Sequence, residues 1–235
     1  MIRVIFKNIF KLINNMRYIK QIMFEKIGKA GQDLLKKSKV TIMGLGALGT
    51  RSAELLARAG IGNLILIDRD IVELSNLQRQ TLFKESDINK PKVLAAKAHL
   101  EEINSEIKIT TIFKDINYKN IESNIKGDLI LDCTDNLETR FLINEFSIEK
   151  NIPWIFASVI GSSGMLFNFI PSKTPCFKCI FSEPEITLDT CDTEGIINTT
   201  ASLISSIQVT EAFKILTKQP YVKELIYFDL WKNKL

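Results

Sequence analysis

Histidine and cysteine are both scarce in this chain of 235 residues. The only histidine is His99, and the four cysteines are Cys133, Cys176, Cys179 and Cys191. Four thiols in a chain without a secretion signal do not predict a disulfide framework, and they indicate the cytoplasm or an equivalent reducing compartment such as an organelle stroma. His99 falls in the middle of a predicted helix, so we interpret it as a surface or packing residue and not as a ligand.

The chain also lacks internal repeats, low-complexity linkers and a cleavage site of the secretory type. Residues 1–16 have the pattern of a basic, amphipathic extension. Three interpretations are open: a helix at a membrane interface, a helix that packs on the domain or on a neighbouring protein, or a segment that precedes a start of translation at Met16. Residues 151–172 carry no charge, but Pro153 and a turn at 161–164 favour two buried strands over a membrane span. We therefore expect one soluble domain over residues 1–235.

Acidic residues are few at the start of the chain. Residues 1–40 carry ten Lys or Arg against only Glu25 and Asp33, whereas the whole chain has a net charge of +4. A basic arm can meet nucleic acid, a membrane or an acidic partner. No basic patch interleaved with aromatic residues and no nucleic-acid motif accompanies it, so we expect neither nucleic acid nor membrane as a partner.

A glycine-rich segment follows the first apolar run. The run at 40–43 predicts a strand, and Gly44, Gly46 and Gly49 come directly after it in the pattern GxGxxG, at the start of a helical pattern. In such a unit the glycines permit a tight turn, close approach of phosphate oxygens and close packing of helix on strand. A second predicted strand ends in Asp68, a carboxylate placed to accept ribose hydroxyls. The segment predicts a nucleotide-binding unit; a purely structural turn is the alternative.

Strands and helices alternate through the rest of the first half. The predicted elements are strands at 40–43, 63–67, 108–112, 128–131 and 154–158 and helices at 91–103, 137–150 and 196–216. This alternation predicts an α/β fold, a Rossmann-like and mostly parallel sheet with helices on both faces, extended by antiparallel strands in the C-terminal half. We expect a nucleotide-binding half at 38–150 and a partner-binding half at 151–235.

Three polar segments fall where the predicted strands end. They contain Asn76, Gln78 and Arg79, then Lys92, then Asp132, Asp135, Asn136 and Arg140. Ligands of open parallel sheets bind at the carboxyl ends of the strands. Arg79 and Lys92 could neutralise a polyphosphate, and Asp135 could hold Mg²⁺. The alternatives are solvated charges for the two cations and an Asx turn or helix N-cap for Asp135.

Eight motifs together give the sequence a resemblance to a known family. They are RYIKQ (17–21), GLGALG (44–49), LIDRD (66–70), SNLQRQ (75–80), KPK (90–92), DCTDN (132–136), CFKC (176–179) and TCDTEG (190–195). In this order and spacing they resemble the adenylyltransferases that activate sulfur-carrier proteins, which are relatives of the ubiquitin-activating enzymes. The nearest types are the molybdopterin-synthase and thiamin-pathway adenylyltransferases.

The resemblance implies an activity and a set of site residues. The enzyme would join the C-terminal glycine of a small ubiquitin-like sulfur carrier ending in Gly-Gly to AMP, using ATP and Mg²⁺ and releasing pyrophosphate. Catalysis would consist of positioning and charge neutralisation. The residues implied in nucleotide binding are Gly44, Gly46, Ala47, Gly49, Asp68, Ser75, Asn76, Leu77, Gln78, Arg79, Lys92, Asp135 and Asn136, with Asp135 on Mg²⁺ and Arg79, Lys92 and Asp135 in catalysis.

Departures from the family pattern concern Lys20, Ala47 and the list of partners. Lys20 stands where many relatives have an arginine that reaches the ATP site of the neighbouring subunit, so the resemblance implies a homodimer with a weaker contact across the interface. Ala47 replaces a common glycine. No rhodanese-like extension follows, so we expect a separate sulfurtransferase.

The cysteines leave alternatives open. Cys176 and Cys179 have zinc-ligand spacing, but relatives usually complete the site with a second pair that is missing before Leu235, so zinc is lost, completed from elsewhere or removed with a truncated tail. Cys191 stands where some members form a covalent intermediate with the carrier; otherwise it is a spare thiol in an acidic loop, 182–195, that we expect to be mobile until carrier binds. Cys133 is expected to be a small buried hydrophobe.

Two functions from other classes compete with adenylation. An NAD-dependent oxidoreductase would use the same glycine loop, but it would leave SNLQRQ and DCTDN unexplained. A non-catalytic nucleotide-binding scaffold is favoured by Lys20 and by the missing cysteine pair. Exchange of pyrophosphate with ATP that depends on a carrier separates all three.

Overall fold

A mixed α/β arrangement organises the described part of the chain, residues 17–181 and 195–234 of a computed structural model. The strands are β1 Lys39–Met43, β2 Asn63–Asp68, β3 Lys108–Phe113, β4 Leu129–Asp132, β5 Trp154–Ile160, β6 Ser163–Phe169 and β7 Ile226–Asp229. The helices are α1 Ile19–Ile22, α2 Gly28–Lys37, α3 Ala47–Ala59, α4 Lys92–Ile103, α5 Ile121–Asn124, α6 Leu137–Lys150, α7 Phe177–Ile180 and α8 Asn198–Leu216. Two 3₁₀ turns, Leu74–Asn76 and Glu85–Asp87, lie between β2 and α4.

The strands form one sheet in the order β3-β2-β1-β4-β5-β6-β7. The first five of these are parallel, and β6 and β7 extend the sheet with antiparallel pairs. In the register, Met43 of β1 lies beside both Ile67 of β2 and Asp132 of β4, so three strands end at the same level. The predicted fold class is confirmed, and the loops after these three strands lie at one edge of the sheet.

Alternate residues of the strands face opposite sides of the sheet, and each side has its own apolar core. Ile42 and Leu64 belong to a core that α3, α4 and α8 cover, whereas Met43, Ile65 and Trp154 belong to a second core with α6 and α7. Burial on both faces explains why the parallel strands are apolar throughout. It also fixes the register, because a slip of one residue would exchange the two cores.

The uncharged stretch 151–172 forms β5, a turn and β6, as predicted. Phe156 pairs with Phe167 across this hairpin, and Phe156 is fully buried. The placement of Gly164 in the turn was wrong: it lies in β6 opposite Val159, where a Cβ would come 2.3 Å from the side chain of Ile204 on α8. In the described residues, no helix is long and apolar enough to cross a membrane.

The predicted helix at 137–150 is confirmed at both ends, and the other predicted elements differ by one or two residues at their ends. The helix predicted from 91 begins at Lys92, and the one predicted from 196 begins at Asn198. The basic extension 1–16 and almost all of the predicted mobile loop, with Cys191, lie outside the described residues. The predictions about them therefore remain predictions.

Candidate active site

The glycine loop connects β1 to α3 through a tight turn in which the backbone of the helix lies against the backbone of the loop. Gly44 has a φ of +87°, a left-handed conformation that favours glycine. A Cβ at Gly49 would lie 1.9 Å from the carbonyl oxygen of Gly44, so the helix can approach the loop only without a side chain there. Gly46 precedes α3 directly, and a Cβ on it would meet no atom within 4 Å. The loop therefore leaves the N-terminus of α3 open to a ligand.

The two glycines give a matched pair of substitutions. Gly49→Ala should lower the free energy of unfolding by about 1–3 kcal/mol or more, because its methyl group cannot fit without moving the loop. Gly46→Ala should leave the melting temperature near that of the unmodified protein, while weakening ATP binding where a phosphate approaches that backbone. Thermal unfolding and ATP titration of both variants measure this difference. Equal losses of stability in the two variants would contradict it.

Asp68 ends β2 and holds the glycine loop. Its Oδ2 accepts a hydrogen bond from the backbone N–H of Leu45 at 2.5 Å, and Oδ1 accepts one from that of Asp70 at 2.7 Å. Burial raises the pKa of Asp68, and the opposing effects of Lys92 and the two N–H groups do not cancel that rise. Asp68 therefore protonates at a higher pH than an exposed aspartate, and only its ionised form is a pure hydrogen-bond acceptor.

Lys92 is the first residue of α4 and is held by a salt bridge. Its Nζ lies 3.0 Å from Oδ2 of Asp70, and its backbone N–H donates to the carbonyl of Asp70 at 2.9 Å. The side chain of Lys92 is only 7% exposed, whereas that of Asp70 is 57% exposed. The ammonium group is thus fixed beside Asp68 and is not a solvated surface charge.

The SNLQRQ segment forms a compact turn that carries Arg79. Asn76 is buried, and its Oδ1 accepts a hydrogen bond from the N–H of Glu73 at 3.2 Å. The guanidinium of Arg79 donates to the carbonyl of Ser75 at 3.0 Å. Gln80 is also buried, and its Oε1 has no hydrogen-bond partner within the described chain. The segment therefore holds one cation and a cluster of amides near the end of β2.

A buried ion pair shapes the loop after β4. Asp132 is fully buried and accepts hydrogen bonds from the N–H and hydroxyl of Thr134, at 2.9 and 2.6 Å, and from Nε of Arg140 at 3.2 Å. Arg140 also donates to the carbonyl of Thr134 at 2.7 Å and lies over the ring of Phe156. Burial raises the pKa of Asp132, while Arg140 favours its ionised form. The pair fixes the backbone that leads to Asp135.

Asp135 and Asn136 are exposed at the end of this loop. Asn136 is the N-cap of α6, and its Oδ1 accepts a hydrogen bond from the N–H of Thr139 at 2.8 Å. The alternative in which Asp135 caps this helix is therefore wrong. Asp135 has no hydrogen bond or ion pair to another residue of the described segments. Its carboxylate fits the donor chemistry of a Mg²⁺ site that shares the ion with phosphate oxygens.

These loops surround one cavity of about 570 Å³ at the carboxyl ends of the parallel strands. Nine of the residues predicted for the nucleotide line it, namely Gly44, Gly46, Ala47, Asp68, Asn76, Arg79, Lys92, Asp135 and Asn136. The residues that do not line it are Gly49, Ser75, Leu77, Gln78 and Lys20. Gly49 packs on the backbone of Gly44, the carbonyl of Ser75 accepts a hydrogen bond from Arg79, and Leu77 packs against the first apolar core. Gln78 and Lys20 are exposed.

Comparison with known proteins identifies the family of this chain. The profile of the ThiF family matches residues 18–235. The chain belongs to the ThiF family. It is 42% identical over 221 residues to the sulfur carrier protein ThiS adenylyltransferase of Bacillus subtilis, covering 93% of this chain and 66% of that protein. The chain thus spans slightly less than two thirds of that relative.

Two further relatives come from Escherichia coli. The molybdopterin-synthase adenylyltransferase is 35% identical over 221 residues, covering 91% of this chain and 88% of that protein. The sulfur carrier protein ThiS adenylyltransferase is 37% identical over 204 residues, covering 86% and 81%. A crystal structure of E. coli MccB with MccA-N7isoASN has a TM-score of 0.80 at 24% identity, covering 91% of this chain and 72% of that one, and shows that the fold is shared.

The ThiF-family cavity also contains charged residues that sequence reasoning missed. They are Arg69, Asp70, Glu73, Lys114 and Asp115. Arg69 and Asp70 belong to the LIDRD motif, so the motif itself was a signal for them. Lys114 and Asp115 follow β3, and the rule that ligands bind at strand ends could have found them. Arg69 is joined to Asp115 by a salt bridge of 3.0 Å, which links the loops after β2 and β3.

The two thiols suggested for zinc do not form a closed zinc site in the described residues of this ThiF-family chain. A structural zinc ion takes four ligands. Between 17 and 181 and between 195 and 234, no group of three or more His, Cys, Asp or Glu is placed to hold a metal. His99 lies 2.6 Å from Asp87. Burial raises the pKa of Asp87, but hydrogen bonds from His99, Lys90 and the N–H of Lys84 outweigh this effect and lower the pKa to about 2. The interpretation of His99 as a packing residue is consistent with this pair.

Cys133 is buried, as predicted, and it borders the cavity. Its thiol lies 3.5 Å from Oε1 of Gln208, and Nε2 of Gln208 donates to the carbonyl of Asp132 at 2.9 Å. Burial raises the pKa of the Cys133 thiol well above its usual range. A neutral thiol of this kind acts as a small apolar group and not as a nucleophile.

Proposed function

We propose that this protein adenylates the C-terminal glycine of a small ubiquitin-like sulfur-carrier protein, using ATP and releasing pyrophosphate. The observation that carries the proposal is the convergence of the glycine loop, Asp68, Arg79, Lys92 and Asp135 on one cavity. The names of the relatives support it, since two are ThiS adenylyltransferases and a third is the molybdopterin-synthase adenylyltransferase. A SAMP-activating enzyme E1, 31% identical, supports the same class of substrate.

In this proposal the nucleotide lies along the ends of β1, β2 and β4. Asp68 accepts the ribose hydroxyls, and the backbone at Gly44 and Gly46 faces the phosphates. A carboxylate oxygen of the carrier attacks the α-phosphorus, and the bond between that phosphorus and the bridging oxygen of pyrophosphate breaks. Arg79 and Lys92 neutralise the charge that develops on the phosphate oxygens. Little covalent chemistry is left to the enzyme, because both reacting groups belong to substrates.

Asp135 is the residue we propose for Mg²⁺. Its free carboxylate opens on the cavity between Thr134 and Asn136. When bound, Mg²⁺ supplies positive charge that offsets the charge of the phosphates. The backbone after Asp132 keeps Asp135 at this position, since the neighbouring Thr134 is bonded through both its N–H and its carbonyl.

Carrier-dependent exchange of labelled pyrophosphate into ATP tests the proposed function. We expect exchange only when ATP, Mg²⁺ and a carrier ending in Gly-Gly are all present, with none for a carrier whose last glycine is deleted. Running the assay with carriers of the thiamin and molybdopterin type also identifies the pathway, and a separate sulfurtransferase would then supply the sulfur. Tight binding of NADH without exchange would contradict adenylation, and ATP binding without exchange for any carrier would favour a scaffold.

We also propose that the protein acts as a homodimer in which Lys20 reaches the cavity of the partner. Lys20 is exposed on α1 and does not line the cavity of its own chain. Three large apolar side chains near it, Ile19, Met23 and Phe24, are 44%, 68% and 57% exposed. An apolar group of this kind beside a cation favours contact with another protein surface.

Mixing two inactive variants tests the contact across the interface. Lys20→Ala and Asp135→Ala should each lose most exchange activity alone. After they are denatured and refolded together, half of the dimers are mixed and each has one intact site, so roughly a quarter of the unmodified rate should return. No recovery from mixing, or a monomer by light scattering at micromolar concentration, would contradict the proposal.

A further inference from the structure

Asp70 is a charged residue of the cavity that the proposed reaction leaves without a role. It follows Asp68, the last residue of β2, after a single intervening residue, and both side chains line the cavity together with Lys92. The loop after β2 thus offers two carboxylates to one ammonium group. The carboxylate that pairs with the ammonium is occupied, and the other stays available to a ligand.

The ammonium group of Lys92 is paired with Asp70 and not with Asp68. Nζ lies 3.0 Å from Oδ2 of Asp70, and within the described chain no hydrogen bond or ion pair joins it to Asp68. The backbone repeats the pairing, because the N–H of Lys92 donates to the carbonyl of Asp70 at 2.9 Å. Burial raises the pKa of Asp68 and the charge of Lys92 opposes that rise, so the ammonium is within electrostatic reach of both carboxylates.

The position of Lys92 at the start of α4 makes a counter-charge necessary. The first turn of a helix carries partial positive charge, which disfavours a cation there and favours a carboxylate. Lys92 is also buried, so water does little to offset its charge. Asp70 supplies the negative charge from an exposed side chain. Without Asp70, the nearby carboxylate of Asp68 becomes the group that attracts the ammonium.

The hydrogen bonds of Asp68 show what such a change would displace. An ionised carboxylate offers about four acceptor positions on its two oxygens. Backbone N–H groups take one position on each oxygen, that of Leu45 on Oδ2 and that of Asp70 on Oδ1. About two positions remain, one for each hydroxyl of a ribose. An ammonium group on Asp68 would take one of them and compete with the sugar.

We propose that Asp70 is a positioning residue that holds Lys92 away from Asp68 and so keeps the Asp68 carboxylate free for the ribose of ATP. The inference rests on the proposed adenylation, in which Asp68 accepts the ribose hydroxyls. Asp70 acts through Lys92 and does not itself contact the sugar. The preference of the protein for a nucleotide with ribose hydroxyls therefore depends on Asp70.

Binding of ATP and of 2′,3′-dideoxy-ATP, measured by calorimetry with Mg²⁺ and without carrier, tests this role. Both nucleotides carry the same base and triphosphate, so the ratio of their dissociation constants reports the hydroxyls. At mildly alkaline pH, which keeps Asp68 ionised, the dideoxy nucleotide should bind the unmodified protein about 10–100-fold more weakly than ATP, as expected for hydrogen bonds to a charged group. In Asp70→Ala the ratio should fall to a few-fold. Asp70→Asn keeps an uncharged acceptor for Lys92 and should give an intermediate ratio.

Two further comparisons assign the effect to Lys92. Lys92→Met removes the ammonium, so adding Asp70→Ala to that variant should not lower the ratio further. Asp33 is an exposed aspartate on α2 that pairs with a lysine and does not line the cavity, and Asp33→Ala should leave the ratio unchanged. All variants should keep the melting temperature within a few degrees of the unmodified protein.

Three results would overturn the inference. An unchanged ratio in Asp70→Ala would show that Lys92 does not compete for Asp68. A ratio that Asp70→Ala lowers as strongly in the Lys92→Met background would mean that Asp70 does not act through Lys92. No preference for ATP in the unmodified protein would remove Asp68 from the ribose and with it the basis of the inference. Pyrophosphate exchange requires a carrier and is measured separately, so failure here is distinguishable from failure of the proposed adenylation.

Discussion

Arg79→Ala and Asp135→Ala should each lower the rate of carrier-dependent exchange by about 10²–10³-fold, or about 2.7–4 kcal/mol of transition-state stabilisation. Both side chains line the cavity at opposite loops, one after β2 and one after β4. Arg79 is proposed to neutralise charge on the phosphates, whereas Asp135 is proposed to act through Mg²⁺. The exchange rate at saturating ATP, measured across a series of Mg²⁺ concentrations, separates these two roles.

The controls are charged residues outside the cavity. Arg58 is an exposed arginine on α3 that pairs with Glu54, and Asp33 is an exposed aspartate on α2 that pairs with Lys29. Arg58→Ala and Asp33→Ala should each leave exchange within a few-fold of the unmodified rate, because exposed ion pairs contribute little to stability. All four variants should retain the melting temperature within a few degrees. If Arg79→Ala or Asp135→Ala loses exchange activity only because it no longer folds, that result would contradict a direct role of the residue in exchange.

Much of the fold was predictable because the parallel strands are buried on both faces. Such strands appear as short apolar runs. The glycine loop follows the first of them, Asp68 ends the second, and Lys92 begins the helix that comes next. The end of β4 was predictable for the same reason, since a polar segment follows an apolar run. Because ligands bind at the carboxyl ends of parallel strands, the sequence alone then predicted that these distant polar segments lie in one site.

The contacts between loops were not predictable from these patterns. The salt bridge from Asp70 to Lys92 joins residues 22 positions apart, and the one from Arg69 to Asp115 joins residues 46 apart. Both depend on how the loops after β2 and β3 fold back over the sheet, which hydrophobic periodicity does not report. The choice of Asn136 over Asp135 as the helix cap is likewise a matter of one residue, below the precision of boundaries taken from a sequence.

Arg140→Ala should lower the free energy of unfolding by about 3–5 kcal/mol, because it leaves the carboxylate of Asp132 buried without its counter-charge. Arg140 is itself 2% exposed and also holds the carbonyl of Thr134, so its loss should loosen the loop that carries Asp135. Denaturant unfolding measures the loss of stability. Arg140→Lys keeps the positive charge but loses the forked guanidinium group. Its free energy of unfolding should lie between that of the unmodified protein and that of Arg140→Ala.

The double variant Arg140→Met, Asp132→Asn distinguishes an unpaired charge from lost packing. Burial already raises the pKa of Asp132, and removal of Arg140 should raise it further. A carboxyl group whose pKa is higher in the folded state than in the unfolded state destabilises the protein when the pH is above the folded-state pKa. As the pH falls from the folded-state pKa to the unfolded-state pKa, protonation of the group removes this destabilisation. The deficit of Arg140→Ala should therefore shrink on acidification, and the double variant should be more stable than Arg140→Ala near neutral pH. A deficit that is the same at every pH, and that the double variant shares, would assign the role of Arg140 to packing against Phe156 and not to its charge.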